Sequence, residues 1–328
     1  MKADQVGGVS ERAPARRTRL RFLRQNLAVL VTLLVICVVT AILNPVFINP
    51  SNLINVVRQI SILGIVASGM TMLMISGGID LSVGAALSLA GVVCGRVLVG
   101  GYGEVTAVVA GVLVGATVGL VNGTIVAKTG VPPFISTLGM MSILQGAALM
   151  VTGGRQIPNV NGPYFSILGD GMLGFVPVPV IILFVVVLLS HFLLRNTKWG
   201  KRWYAIGGNE ETAYLSGINV NRYKIAVYVI NGTLVGVAAV TLASRIGAAL
   251  PLMGSGYELQ AIAAVVIGGV ALTGGRGSVL GTFLGVLLLG VISNSLNMLN
   301  VSSFFQNMAV GLIILIAVIA NQYSLRRR

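Results

Sequence analysis

Charge is scarce in this chain of 328 residues. Asp, Glu, Lys and Arg make up only 9% of it, where a soluble domain carries about a quarter. That is too little to cover a water-facing globule of this length, so a soluble fold is excluded. Acid is scarcer still, with eight Asp and Glu against 22 Lys and Arg and a formal net charge of +14. A basic excess of this size suggests nucleic acid, but the bases are not gathered on one face with interleaved aromatics, which excludes that partner. The two cysteines, Cys37 and Cys94, both lie in apolar runs and read as small buried hydrophobes; no disulfide framework or metal-ligand spacing exists. The single histidine, His191 in "LLSHFLLRN", reads as a polar residue near a helix end. There is no G-x-S-x-G elbow, no H-E-x-x-H and no paired intramembrane aspartates. "WGKRW", Trp199 to Trp203, holds Gly-Lys without the glycine-rich loop before it or the Ser or Thr after it. No catalytic, metal or cofactor site is therefore expected, and the chain has no means of its own to hydrolyse ATP.

What the chain has is apolar surface. Hydrophobic residues make up 55% and the mean hydropathy is +0.94, with 43 glycines of the kind that let membrane helices approach closely. No alternating strand pattern argues for a barrel. The fold class expected is an all-α polytopic membrane protein of about ten spans, at about 20 apolar residues each. They fall near 27–43, 53–75, 81–99, 104–127, 131–152, 172–194, 224–244, 257–273, 279–298 and 303–320. Residues 1–26 read as a basic cytoplasmic arm, 27–321 as the membrane domain and 322–328 as a basic cytoplasmic tail. With both termini cytoplasmic, all but Arg58, Arg96, Arg155 and Arg245 of the 22 basic residues fall on inner segments. This is the asymmetry that the positive-inside rule demands.

Two apolar stretches break at Gly-Gly: "SGGIDLSVGA" (Ser76 to Ala85) and "TGGRGSVLG" (Thr273 to Gly281). Either an internal duplication or a chance likeness of glycine-rich turns accounts for them. Gly111, Gly115, Gly119 and Gly123 recur every fourth residue, stacking on one helix face where another backbone can pack. Asp80, Glu104, Asp170 and Glu258 all sit near expected helix ends, which argues against an ion-driven carrier. Inside, the chain offers neutral donors and acceptors: Ser68, Thr71, Ser88, Asn122, Gln145, Asn231, Ser293, Asn294 and Asn297. Ser68, Thr71, Asn122, Gln145, Asn231, Asn294 and Asn297 are the candidates for a translocation path, since amides and hydroxyls can bond a neutral polyhydroxylated solute. Bonding between helices is the alternative for each.

The most polar interior stretch, "GGNEETAYLSGINVNRYK" (Gly207 to Lys224), stands out against this background. Asn209 is a good N-cap, Glu210 and Glu211 suit a first turn, and Gly217 is a natural stop. They frame a helix of about seven or eight residues, roughly 10–12 Å long, too short to be stable without a surface to lie against. It either docks on its own bundle or inserts into a partner and transmits movement.

"SGGIDLSVGA", "AIGGNEETAYLSGINVNRYKI" and "GYELQAIAAVVIGGVALTGGRGSVLGT" resemble the permease subunits of bacterial ATP-binding-cassette importers for monosaccharides, the ribose, arabinose, xylose and galactose group. The likeness covers nearly all the chain beyond the basic arm. It implies a subunit of the bacterial inner membrane that binds no cofactor itself and works with a cytoplasmic ATPase, a periplasmic sugar-binding protein and a second permease subunit, expected to be a second copy. The resemblance further implies that Asn209, Glu210, Glu211, Thr212, Ala213 and Gly217 couple to the ATPase within a loop at 200–222, with Thr212 standing where the family has Ala. Asp80 matches a motif acid, expected to cap the start of the third span with gating as a secondary role. The competing reading is a stand-alone carrier or facilitator for a small polar solute.

Overall fold

The computed structural model describes residues 13–302 together with 305, 308, 309, 311, 312 and 315. Twelve helices are named among them: α1 Ala13–Leu43, α2 Pro50–Ile75, α3 Val83–Val99, α4 Glu104–Thr129, α5 Pro133–Thr152, α6 Ile167–Asp170, α7 Val178–Asn196, α8 Lys198–Gly208, α9 Glu210–Leu215, α10 Val220–Ile246, α11 Tyr257–Ile267 and α12 Val279–Met298. A two-stranded hairpin, β1 Met172–Leu173 and β2 Val176–Pro177, precedes α7. The sixth span therefore begins at Val178 and not at 172. Pro177 and Pro179 are the reason, since proline fits a strand edge or a first helical turn. Helix α1 starts at Ala13, so part of the expected arm has a helical backbone.

Among the described residues, six helices are long and apolar enough to cross a membrane: α2, α4, α5, α7, α10 and α12. Three further apolar helices are shorter, Val29–Leu43, Val83–Val99 and Tyr257–Ile267. The expected span at 303–320 lies mostly outside the described residues. The chain is a multi-pass membrane protein, and its core is built around α2, whose apolar window is 83% buried.

The glycine stripe shows how the bundle closes. A Cβ at Gly115 would lie 2.3 Å from the Gly232 carbonyl oxygen, and one at Gly119 2.2 Å from that of Tyr228. Gly123 meets the Ile225 backbone in the same way, and Gly111 offers its carbonyl to a Cβ position at Gly236 and lies against the Val240 side chain. Helices α4 and α10 are thus in backbone contact along their length, a distance only hydrogen side chains permit.

Helix α11 corrects the expected eighth span. Its 11 residues cover about 16 Å, half of a bilayer core. The chain before it returns into the bundle beside α3, with Ala249 against Gly95, Met253 against Gly91 and Gly254 against Gly84. After Ile267 the helix ends at Gly268, with the Val270 N–H bonded to the Val265 carbonyl at 3.2 Å, and a loop continues to Ser278. The second span breaks in the same manner: α2 stops at Ser76, Gly77 takes φ +84°, and the Gly78 N–H bonds the Leu73 carbonyl at 3.0 Å. Both are αL-terminated helix ends that a hydropathy window passes over.

Candidate functional site

Helix α9 is set by its caps. The Asn209 side chain accepts from the Thr212 N–H at 2.8 Å. At the other end the Gly217 N–H bonds Tyr214 O at 2.9 Å and the Ile218 N–H bonds Ala213 O at 3.1 Å, with Gly217 at φ +80°. This is a Schellman end, and its left-handed position suits glycine. The helix is six residues long, slightly shorter than expected because the last turn is taken up by this cap. Ala213 is buried, while Tyr214 and Leu215 are 69% and 77% exposed. The helix projects its largest apolar side chains outward and its smallest inward. Glu210 is tied to Lys224 at 2.6 Å, an exposed pair that orients the helix more than it stabilises it. Glu211 and Thr212 are exposed.

Helix α8 is the mount. Thr197 caps it through Gly200 N–H. Trp203 is fully buried and donates to Tyr223 O at 2.9 Å. Trp199 packs tilted against Tyr223 at 4.7 Å, and the Arg202 and Arg222 guanidinium groups lie over Tyr223 and Trp199 at 5.0 and 5.9 Å. Tyr204 donates to Gly277 O at 2.8 Å; burial raises its phenol above the ordinary value, so it remains a donor. The C-terminal end of α8 is pressed into the two Gly-Gly breaks. A Cβ at Gly207 would sit 2.0 Å from Ile75 O and 2.6 Å from Gly275 N. One at Gly274 would be 2.9 Å from the Gly207 Cα and 3.0 Å from the Gly77 Cα. Gly275 N–H bonds Ile75 O at 2.9 Å. The two look-alike turns, far apart in the chain, therefore meet each other at the residue two places before Asn209. Sequence reasoning saw both motifs and missed their contact; shared glycine pairs were the available signal.

Asp80 is 2% exposed. Its carboxylate accepts from Ser82 N–H at 2.9 Å, Ser82 Oγ at 2.6 Å, Asn122 Nδ2 at 3.4 Å and Asn231 Nδ2 at 3.2 Å. It turns the chain just before α3 and also fastens that turn to α4 and α10. Asn122 and Asn231 are fully buried, so in this conformation they serve Asp80 and do not line a path. The other candidates divide similarly. Thr71 bonds Thr282 at 2.7 Å and Ser68 bonds Gly64 O at 2.7 Å, both buried. Asn294 exchanges two bonds with Asn52 at 2.9 and 3.1 Å, clamping α12 to α2. Asn297 is exposed in the last turn of α12. Gln145 does line a cavity of about 120 Å³, with Ser88, Met141, Ser255 and Glu258. Ser88 Oγ there holds Gly254 N–H at 2.9 Å, and Glu258 accepts from Gly256 N–H at 3.1 Å. Glu258 was expected at a helix end; it is in the first turn of α11, but the return of 249–256 carries that turn inward.

Residues 52–319 match the model of a family described as the permease component of a branched-chain amino acid transport system. The chain belongs to this permease family. It is similar to the ribose import permease protein RbsC of Bacillus subtilis, 41% identical over 95% of this chain and 98% of the relative. The Escherichia coli K12 protein of the same name is 42% identical over 89% and 92%, and the L-arabinose ABC transporter permease protein AraH of Azospirillum brasilense is 35% identical over 96% and 93%. No solved structure matches. The first two relatives and this permease share almost their whole lengths, so its helices and loops have counterparts throughout.

Proposed function

We infer that this permease is the transmembrane subunit of an ATP-driven importer of a monosaccharide in the bacterial inner membrane, with pentoses first among its candidates. The observation that carries the reading is a chain-long similarity to ribose import permeases in a protein whose α9 exposes Tyr214 and Leu215. The family description speaks of branched-chain amino acids. A zwitterion calls for paired charges, whereas the 120 Å³ cavity is lined by one acid, Glu258, with no cation, and by Gln145, Ser88 and Ser255, hydrogen-bonding groups suited to hydroxyls.

Asn209, Glu210, Glu211, Thr212, Ala213 and Gly217 form the peg that a cytoplasmic ATPase engages. Movement of α9 passes through α8 to Gly207, which touches the Gly77 and Gly274 turns together. These turns end α2 and lead into α12, so a shift at the peg reaches the core helix directly. Asp80, held beside the first turn, keeps α3, α4 and α10 in register as that shift occurs. A periplasmic binding protein delivers the sugar, and a second copy of this chain completes the path. Both termini are taken as cytoplasmic, a reading supported at the N-terminal side by α1 ending beside the far end of α12, with Asn44 bonded to Met298 O at 2.7 Å. Uptake of labelled ribose by cells expressing the full importer tests the reading: accumulation that disappears when either this chain or the ATPase is deleted supports it. Equal uptake of labelled leucine, with ribose excluded, would sink it.

A further inference from the structure

Outside the proposed path, a cavity of about 400 Å³ opens between α7, α8 and the start of α12. Its rim carries His191, Arg195 and Lys201, and Tyr204, Ser278 and Leu280 complete much of the wall. Arg195 and Lys201 are exposed, and among the described residues neither forms an ion pair; the two ion pairs present lie elsewhere. The floor is the first turn of α12. Ser278 Oγ caps Gly281 N–H at 3.1 Å, which leaves the N–H groups of Val279 and Leu280 without intrahelical acceptors and the positive end of the helix dipole at the cavity.

The level of this cavity follows from its neighbours. Helix α7 is the most apolar of the six spanning helices, and only Thr197 separates its end from α8. Helix α8 is amphipathic, with Lys198, Lys201 and Arg202 exposed and Trp199 and Tyr204 half-buried beside them. Cations and ring side chains mixed at the foot of a span mark the headgroup layer. Above the rim, α7 exposes Leu188 and Phe192 at 64% and 56%, and the walls of the cavity include Leu194, Val279 and Leu280. A free phosphate has no use for such a wall, whereas an acyl chain requires one.

We propose that the groove formed by His191, Arg195, Lys201 and the α12 N-terminus binds the phosphate headgroup of one anionic phospholipid of the inner leaflet, its acyl chain lying along α7. Basic pockets between spanning helices on the cytoplasmic side are suited to such headgroups. The lipid would bridge α7 and α12 next to the mount of α9, so that its occupancy bears on how firmly α8 is seated.

The full-length chain, purified and stripped of lipid, is titrated with phosphatidylglycerol or phosphatidylcholine, and retained lipid is counted by native mass spectrometry. Phosphatidylglycerol is expected to be retained over phosphatidylcholine. Removing one cation, by Arg195→Gln or Lys201→Gln, weakens retention about fivefold, and removing both weakens it roughly thirtyfold. Lys198→Gln, outside the groove, leaves it unchanged. Leu280→Trp fills the groove without removing charge and is expected to abolish retention as well. Equal retention by the double variant and the wild type overturns the proposal. So does displacement of the lipid by inorganic phosphate alone, which would mark a free-anion site, or its loss whenever the ATPase is bound, which would mark a protein contact.

Discussion

A carboxylate at 2% exposure survives only where donors replace water, and Asp80 has four contacts from two neighbouring side chains and one serine. Hydrogen bonds to a charged acceptor contribute about 1.5–3 kcal/mol each. Asp80→Asn would turn an amide N–H₂ toward the Asn122 or Asn231 donors, so it is expected to destabilise the protein by at least about 2 kcal/mol, read as a lower midpoint in a thermal melt of the detergent-solubilised chain. An unchanged midpoint would show that the carboxylate is not the hub described. At Gly207 the argument is steric. A methyl group 2.0 Å from Ile75 O cannot be accommodated without separating α8 from the two Gly-Gly turns. Gly207→Ala is expected to leave membrane insertion intact and to cut uptake by tenfold or more, roughly 1.4 kcal/mol of coupling, measured as transport per ATP hydrolysed.

Elements differ in how plainly the sequence announces them. Helix α9 was legible to within two residues because cap chemistry is local: Asn209 needs only Thr212, and Gly217 needs only its own positive φ. Asn209→Ala is expected to cost the helix about 1 kcal/mol, and Gly217→Ala, forced to keep a left-handed conformation, about 1–2 kcal/mol. Both variants, and Glu210→Ala, should hydrolyse ATP in the assembled importer while moving little sugar; variants that transport at wild-type efficiency would remove α9 from the coupling role. The α4–α10 contact was half legible. The glycine stripe announced close packing, but its partner on α10 carries only the single pair Gly232 and Gly236 at that spacing, too short a signal to name the facing helix. Helix α11 was not legible as a half-helix, because residues 261–272 are apolar apart from Gly268 and Gly269 and the break depends on an αL turn at Gly269. Asn122 and Asn231 could not be told from path-lining amides for a related reason. Only the fold of the 76–82 loop brings the Asp80 carboxylate between them.

At the scale of the whole molecule, charge and geometry point the same way. Lys198, Lys201, Arg202, Arg222 and Lys224 gather at the α9 end, while Glu104 at the opposite end bonds the Tyr164 and Phe165 amides of the 153–177 segment. A cysteine placed at Tyr214 is therefore expected to react with a membrane-impermeant thiol reagent only in inverted vesicles, and one at Phe175, 97% exposed, only from the periplasmic side. The bundle among the described residues has a core helix, a buried carboxyl group and an exposed short helix, and under the proposed function its movement is driven by a separate ATPase. The direct measurement is accumulation of labelled ribose in proteoliposomes containing this chain, with and without its ATPase and binding protein. Concentrative uptake is expected only when both partners and ATP are present, and it should fall to background with Gly217→Ala. Concentrative uptake by this chain alone would contradict the account.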